Sequence, residues 1–163
     1  MRHHNDDLIL HYFEKDEFGP TDHRSDDWWQ HMDPCVLVRL DVLRGLWGAS
    51  IQISGAARAL GRRNGRDNDS DHNVDRRGKV QCIDGFPAGL RTREDAERFR
   101  DLAQKVGFSS IGLYPDWSSP GVHVGMRPGH GGNSPMAIWG AITKGEKQVY
   151  VSWDKALQKL PGA

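Results

Sequence analysis

The clearest signals of the fold class lie in residues 92–127, TREDAERFRDLAQKVGFSSIGLYPDWSSPGVHVGMR. Thr92 and Asp95 form the pattern of a capping box, and the apolar residues that follow recur at helical spacing until a glycine ends the pattern. Two short runs rich in β-branched and aromatic residues come next, at 110–114 and 122–126. A helix followed by two neighbouring strands predicts an α+β fold rather than a doubly wound sheet.

Outside this stretch, the same criteria predict further helices and strands. Asp33 and Pro34 are a typical N-cap and first helical residue, and apolar residues at helical spacing then predict a helix over 34–46. The remaining predicted elements are strands at 51–54, 80–83, 136–142 and 148–152 and a short helix at 153–160. The order predicts one α+β domain over 1–163, with a mainly antiparallel sheet and helices packed on one side.

Composition and charge exclude several classes of protein. The 22 basic and 22 acidic residues balance, and the arginine-rich segment 58–66 is followed at once by aspartates, so the sequence does not favour a nucleic-acid binder. No run approaches the ~18 apolar residues of a membrane helix. The polar N-terminus lacks the pattern of a secretory signal. We therefore expect synthesis in a cytoplasm and no membrane partner.

The two cysteines, Cys35 and Cys82, are far apart in the sequence and have apolar neighbours. This context favours two buried thiols over a disulfide.

Three residues of the sequence could together bind a metal. His72 closes a polar loop, Asp84 follows the apolar strand predicted at 80–83, and His123 lies within a predicted strand. Two histidines and one carboxylate are a common catalytic zinc set, which leaves a fourth position for water. The metal lowers the pKa of that water and polarises a carbonyl group.

The spacing of these residues also permits other interpretations. His72 alone is typical of a solvated surface residue, and His123 could form a hydrogen bond with a buried Asp84 without any metal. No short pair of the H-x-x-x-H or C-x-x-C kind fixes the geometry. Both interpretations stay open on the residues alone.

Several short motifs occur in an order that is typical of one family. They are SGAAR at 54–58, SDH at 70–72, SIGLYP at 110–115 and VHVGMR at 122–127. Because these motifs occur in this order, residues 33–127 resemble the zinc D-alanyl-D-alanine carboxypeptidases and phage endolysin peptidases. The fold of that family is shared with the hedgehog signalling domain. The segments 1–30 and 128–163 lie outside the resemblance.

The resemblance implies a function and a set of site residues. It implies zinc as the cofactor, held by His72, Asp84 and His123. Arg58 would bind a substrate carboxylate, unless it is only a surface charge of its arginine-rich loop. Ser70 would orient its loop rather than act as a nucleophile. The residues expected to line the substrate cleft are Arg58, Ser70, Tyr114 and Trp117.

The chain departs from the family pattern at three points, one of which is Gly125, where an acidic residue often follows the last histidine by two positions. Asp84 follows His72 at a greater distance than is usual, which leaves Asp75 as an alternative acidic residue. Pro120 stands where family enzymes commonly carry the acidic general base, and a proline cannot do that work. Asp116 could serve as the base instead, or could simply cap the loop that it begins.

The sequence therefore supports two hypotheses of different classes. The first is a zinc-dependent peptidase that cleaves peptide stems or cross-links of bacterial peptidoglycan, encoded by a phage or prophage. The second is a non-catalytic component of a phage virion that retains the peptidase fold and associates with other virion proteins. The protein would act at the bacterial cell wall or within a phage particle.

Overall fold

The computed structural model describes residues 4–18, 28–54, 72, 78–126 and 136–162. Short 3₁₀ helices at His4–Asp7 and Lys15–Phe18 come first. The α-helices are α1 (Trp28–His31), α2 (Pro34–Trp47), α3 (Arg93–Lys105) and α4 (Trp153–Leu157). The strands are β1 (Ile51–Ile53), β2 (Cys82–Pro87), β3 (Ser110–Tyr114), β4 (Gly121–Gly125), β5 (Ala137–Lys144) and β6 (Lys147–Val151).

The strands form one six-stranded sheet in the order β1-β2-β4-β3-β5-β6. Every neighbouring pair is antiparallel except β3 and β5, which run parallel. This confirms the predicted α+β class with a mainly antiparallel sheet.

The two long helices begin where their capping residues predict. The Asp33 side chain accepts a hydrogen bond from the Cys35 backbone N–H at the start of α2. Gly48, with φ of 80°, ends that helix in the left-handed conformation that glycine adopts at low cost. Thr92 and Asp95 form a complete capping box at the start of α3.

The hydrophobic core lies between the helices and one face of the sheet. Apolar side chains of the two long helices meet there, as in the edge-to-face contact of Trp47 with Phe99 at a centroid distance of 5.6 Å. Gly140 of β5 allows close packing of α4, since a Cβ atom at this position would overlap Ala156. The sheet contributes Ile51, Ile53, Ile83, Ile111, Leu113, Val122, Val124 and Ile142.

Because side chains alternate along a strand, the residues between these apolar ones point to the opposite face. On β2 to β5 these are Cys82, Asp84, Phe86, Gly112, Tyr114, His123 and Trp139. The sheet therefore has one apolar face that packs on helices and one face that carries chemically active groups.

The boundary predicted for the second strand is wrong. The sequence predicts a strand at 80–83 that ends before Asp84, with Gly85 and Pro87 turning the chain away. Instead, β2 continues to Pro87, because residues 85–87 pair with β1. Gly85 permits this pairing, since a Cβ atom there would lie 3.0 Å from the Gln52 carbonyl oxygen. Asp84 consequently lies within the sheet.

The prediction of two buried thiols is half right. Cys82 is buried in the sheet, whereas Cys35 is exposed at the start of α2, and both are thiols rather than halves of a disulfide. Cys35 is exposed because Val36 and Leu37, which follow it, take the buried side of the helix.

The N-terminal segment is tied to the rest of the fold by a buried carboxylate. Asp41 of α2 accepts hydrogen bonds from the backbone N–H groups of His11, Tyr12 and Phe13 at 2.8–3.1 Å. Phe13 and Phe18 then join the core cluster. Among the described residues, no helix is long and apolar enough to span a membrane.

Candidate metal centre

The pairing of β2 with β4 brings two of the predicted site residues together. Asp84 and His123 are directly opposite each other in this antiparallel pair, and both point to the face away from the core. The His123 Nδ1 atom lies 3.0 Å from Asp84 Oδ1. This contact joins residues that are 39 positions apart in the sequence.

His72 is the third of the predicted metal ligands. Its Nε2 atom lies 3.5 Å from Asp84 Oδ2, so that the carboxylate contacts a different histidine with each oxygen. The two imidazole rings lie edge to face with their centroids 5.4 Å apart. The structure thus brings together the three residues that the sequence singles out as metal ligands.

Cys82 is a further member of this cluster, and the sequence did not predict it. One nitrogen of His72, one nitrogen of His123 and the Cys82 sulfur all lie within 4.8 Å of one another. Cys82 precedes Asp84 by two positions on β2, so both side chains point to the same face. His72, Cys82 and His123 could together hold a metal ion.

Gly125 provides space beside these groups. It pairs directly with Cys82, and a Cβ atom at position 125 would lie 2.8 Å from the Cys82 Cβ and 3.2 Å from His123 Nε2. Any side chain here would therefore press on the Cys82 Cβ atom and on the imidazole at once. Glycine keeps that space open next to two groups that bind metals.

Burial gives the interactions of Asp84 more weight than they would have in water. Asp84 is 8% exposed, His123 is 5% exposed and Cys82 is fully buried. A buried carboxylate is costly unless other groups pair with it, and here two histidines and a tyrosine hydroxyl do so. Since an ionised carboxylate only accepts hydrogen bonds, its contact with Nδ1 places the imidazole proton there. The lone pair of a neutral His123 is then on Nε2, the atom that faces the space above Gly125.

Tyr114 donates to the same carboxylate, with its hydroxyl 3.4 Å from Asp84 Oδ1. Burial raises the pKa of the Tyr114 hydroxyl far above its ordinary value, and the nearby negative charge of Asp84 raises it further. Tyr114 is therefore a neutral hydrogen-bond donor at physiological pH.

Aromatic rings extend from Tyr114 in two directions across this face. Tyr114 stacks on Trp117 with centroids 3.8 Å apart and planes 6° apart, and Trp117 contacts Phe86. On the other side, Trp139 contacts both Tyr114 and His123 at centroid distances of 5.5 and 5.3 Å. Tyr114 and Trp117, which the sequence predicts to line a cleft, thus lie beside the cluster of His72, Asp84 and His123, and Trp139 joins them.

Trp139 fits because β3 carries a glycine beneath it. A Cβ atom at Gly112 would lie 2.5 Å from two atoms of the Trp139 ring, so no larger residue leaves room for the indole. The sequence does carry a signal for this tryptophan. Along β5, Ile138, Gly140 and Ile142 point to the helices, which places Trp139 on the face of His123.

Asp116, the residue predicted as the general base, is exposed. Its Oδ2 atom accepts a hydrogen bond from the backbone N–H of Thr143 at 2.9 Å, which ties the loop after β3 to β5. The other predicted residues Arg58, Ser70 and Asp75 lie outside the described residues.

The donor set matches the chemistry of zinc and similar cations. Imidazole, thiolate and carboxylate suit zinc and cobalt, whereas magnesium and calcium prefer oxygen ligands alone. Ligand atoms around a tetrahedral zinc lie about 3.3–3.7 Å apart, given bonds of about 2.0–2.3 Å. The possible ligand atoms of His72, Cys82 and His123 lie within 4.8 Å of one another, so movements of about 1 Å bring them to this geometry.

Comparison of the chain with protein-family models, with curated proteins and with solved structures gives no match.

Proposed function

We propose that this protein is a zinc-dependent peptidase that cleaves peptide bonds in the stems or cross-links of bacterial peptidoglycan, encoded by a phage or prophage. The observation that carries the proposal is the contact of one buried carboxylate, Asp84, with both His72 and His123 beside the thiol of Cys82. The order of the sequence motifs gives the proposal its substrate class.

Some residues of the cluster would bind the metal ion, and others would orient those ligands. His72 and His123 would bind the ion together with Asp84 or Cys82, which leaves a coordination position for water or substrate. Zinc bound there would acidify water and polarise a peptide carbonyl. Asp84 fixes the tautomer and the ring orientation of His123. Tyr114 holds Asp84 from the other side by its protonated hydroxyl.

Other residues would bind the substrate and accept a proton. In the proposal, Arg58 pairs with a carboxylate of the peptide, and the stacked rings of Tyr114 and Trp117 form one wall of the cleft. Asp116 would accept a proton during the reaction. Its Oδ2 is bonded to the Thr143 N–H, so this role would fall to Oδ1.

A digestion assay tests the proposal. Purified protein loaded with zinc is incubated with peptidoglycan, and new amino and carboxyl termini are measured in the released muropeptides. We expect hydrolysis by the wild type and only background cleavage by His123→Ala. Asp101→Ala is a matched control, because it removes an exposed carboxylate from α3 on the other side of the sheet. Equal hydrolysis by wild type and His123→Ala would refute the proposal.

A second candidate function is a structural role in a phage particle. It is favoured by Pro120, which stands directly before β4 where an acidic base is expected in the resembling family. In that case the chain would bind zinc, fail to hydrolyse peptidoglycan, and copurify with virion proteins when phage particles are dissociated.

A further inference from the structure

We propose that Cys82 is a direct ligand of the metal ion, together with His72 and His123 Nε2, and that Asp84 is the carboxylate that orients His123. This assignment rests on the proposal that the cluster holds zinc. It does not depend on peptidase activity. It differs from the set that the sequence predicts, in which Asp84 is a ligand and the thiol has no role.

The two nitrogen atoms of His123 lie in different surroundings. Nδ1 already lies 3.0 Å from Asp84 Oδ1, and an ionised carboxylate can only accept a hydrogen bond from it. A histidine bound to a metal usually donates its other N–H group to a carboxylate or carbonyl, which fixes the ring. The pair of His123 and Asp84 already has this arrangement, with Nε2 left to face a cation.

His123 Nε2 and Cys82 lie beside the same small space at Gly125. The Cβ position of Gly125 is 3.2 Å from His123 Nε2 and 2.8 Å from the Cys82 Cβ, so the imidazole nitrogen and the cysteine border the same small space. Glycine is the residue that leaves this space unfilled. An ion bound to Nε2 would therefore have the Cys82 side chain next to it.

His72, Cys82 and His123 form a compact group of possible ligands. One nitrogen of each histidine and the Cys82 sulfur lie within 4.8 Å of one another, and the group is buried or nearly so. Asp84, in contrast, has its two oxygens directed at different histidines, and Oδ1 also accepts from Tyr114. This is the arrangement of a carboxylate that holds ligands in place.

The chemistry of the step is simple. On binding, the S–H bond of Cys82 breaks, a sulfur–metal bond forms and the proton leaves to solvent. The resulting set has two imidazoles and one thiolate, and three protein ligands leave a fourth position for water or substrate. A thiolate also favours zinc and cobalt over magnesium and calcium.

X-ray absorption spectroscopy at the zinc edge tests the assignment on the full chain. We expect one sulfur neighbour at about 2.3 Å in the wild type. The sulfur shell should be lost in Cys82→Ala, which keeps the Cβ atom packed on Gly125. Cys35→Ala is the matched control, since it removes the exposed thiol of α2 and should leave the shell intact. Asp84→Asn should keep the shell while zinc affinity falls about 10–100-fold.

The outcomes separate this inference from the proposed function. Zinc bound only by nitrogen and oxygen in the wild type, or a sulfur shell that persists in Cys82→Ala, would overturn the inference and leave the peptidase proposal standing. Because the wild-type spectrum already decides between sulfur and lighter ligands, a folding defect in the variant cannot obscure the result. A sulfur shell in a protein without hydrolytic activity would uphold the inference and refute the peptidase.

Discussion

His123 Nδ1 lies 3.0 Å from Asp84 Oδ1, across two strands that pair these residues directly. The contact is buried, and His72 reaches the second oxygen of the same carboxylate. A histidine oriented in this way is prepared to bind a cation before the cation arrives. Metal binding should therefore need little rearrangement of the sheet.

Zinc should stabilise the folded protein, because the cluster exists only when the strands are paired. At a free zinc concentration 100 times the dissociation constant, binding adds about 2.7 kcal/mol. In a domain of this size, that corresponds to a rise in melting temperature of roughly 5–10 °C. Differential scanning calorimetry with and without zinc measures the shift, with magnesium as the control cation. An equal shift in His123→Ala would show that the stabilisation arises elsewhere.

Gly125→Ala should weaken zinc binding although it replaces none of the proposed ligands. The new methyl group would approach both the Cys82 Cβ and His123 Nε2, and at least one of them must move. Such overpacking typically costs about 1–3 kcal/mol of stability. Isothermal titration with zinc and a thermal melt measure the two effects. Gly162→Ala is the control, because nothing lies within 4 Å of its Cβ position. Unchanged zinc affinity in Gly125→Ala would place the ion away from this space.

Two substitutions at Asp116 separate its catalytic role from its structural one. Asp116→Asn keeps an oxygen that can accept from the Thr143 N–H but cannot serve as a base. Asp116→Ala also loses that hydrogen bond, at a cost of about 0.5–1.5 kcal/mol. We expect both variants to lose hydrolysis and only the alanine variant to lose stability, as measured by muropeptide release and denaturant unfolding. Wild-type hydrolysis by Asp116→Asn would remove the residue from the mechanism.

The capping box of α3 should make stability depend on pH at the acidic end. Hydrogen bonds from the backbone N–H groups of Thr92 and Arg91 lower the pKa of Asp95. A lowered pKa in the folded state means that the stabilisation is complete above the unfolded value of about 3.9 and is lost as pH falls through the folded value.

Asp95→Asn should therefore be less stable than the wild type at pH 7, and the difference should narrow below about pH 4. Because Asp95 is only partly buried, solvent screening keeps the pH-dependent part below about 1 kcal/mol. Urea unfolding at several pH values measures it, with the exposed Asp101→Asn as control. A difference that stays constant from neutral to acidic pH would contradict the assignment.

Local signals predicted most of the fold. Two helix starts are examples, at Asp33 with Pro34 and at Thr92 with Asp95. They depend on contacts within a few residues, and both lie where the sequence predicts them. The end of β2 could not be found in this way, since pairing with β1 overrides the turn preference of Gly85 and Pro87. Partner strands decide such boundaries, and one sequence does not reveal the partners.

The candidate site was predicted only in part, because one sequence does not reveal which strands pair. His123 could be placed on one face of its strand by alternation, and it does lie on the face away from the core. Cys82 and Asp84 are two positions apart on β2, so their side chains point to the same face. The predicted strand ended at residue 83, before Asp84, and so this relationship was not predicted. His72 and Cys82 also lie close together, and neither hydrophobic periodicity nor composition predicts that proximity.

Zinc stoichiometry is the most direct test of the metal centre. Purified, folded protein is equilibrated with zinc, dialysed against metal-free buffer and analysed by mass spectrometry for zinc per chain, beside His72→Ala and His123→Ala. The cluster predicts one zinc per wild-type chain and almost none in either variant. Folded wild-type protein that retains no zinc, or variants that retain as much as the wild type, would contradict a metal centre at His72, Cys82, Asp84 and His123.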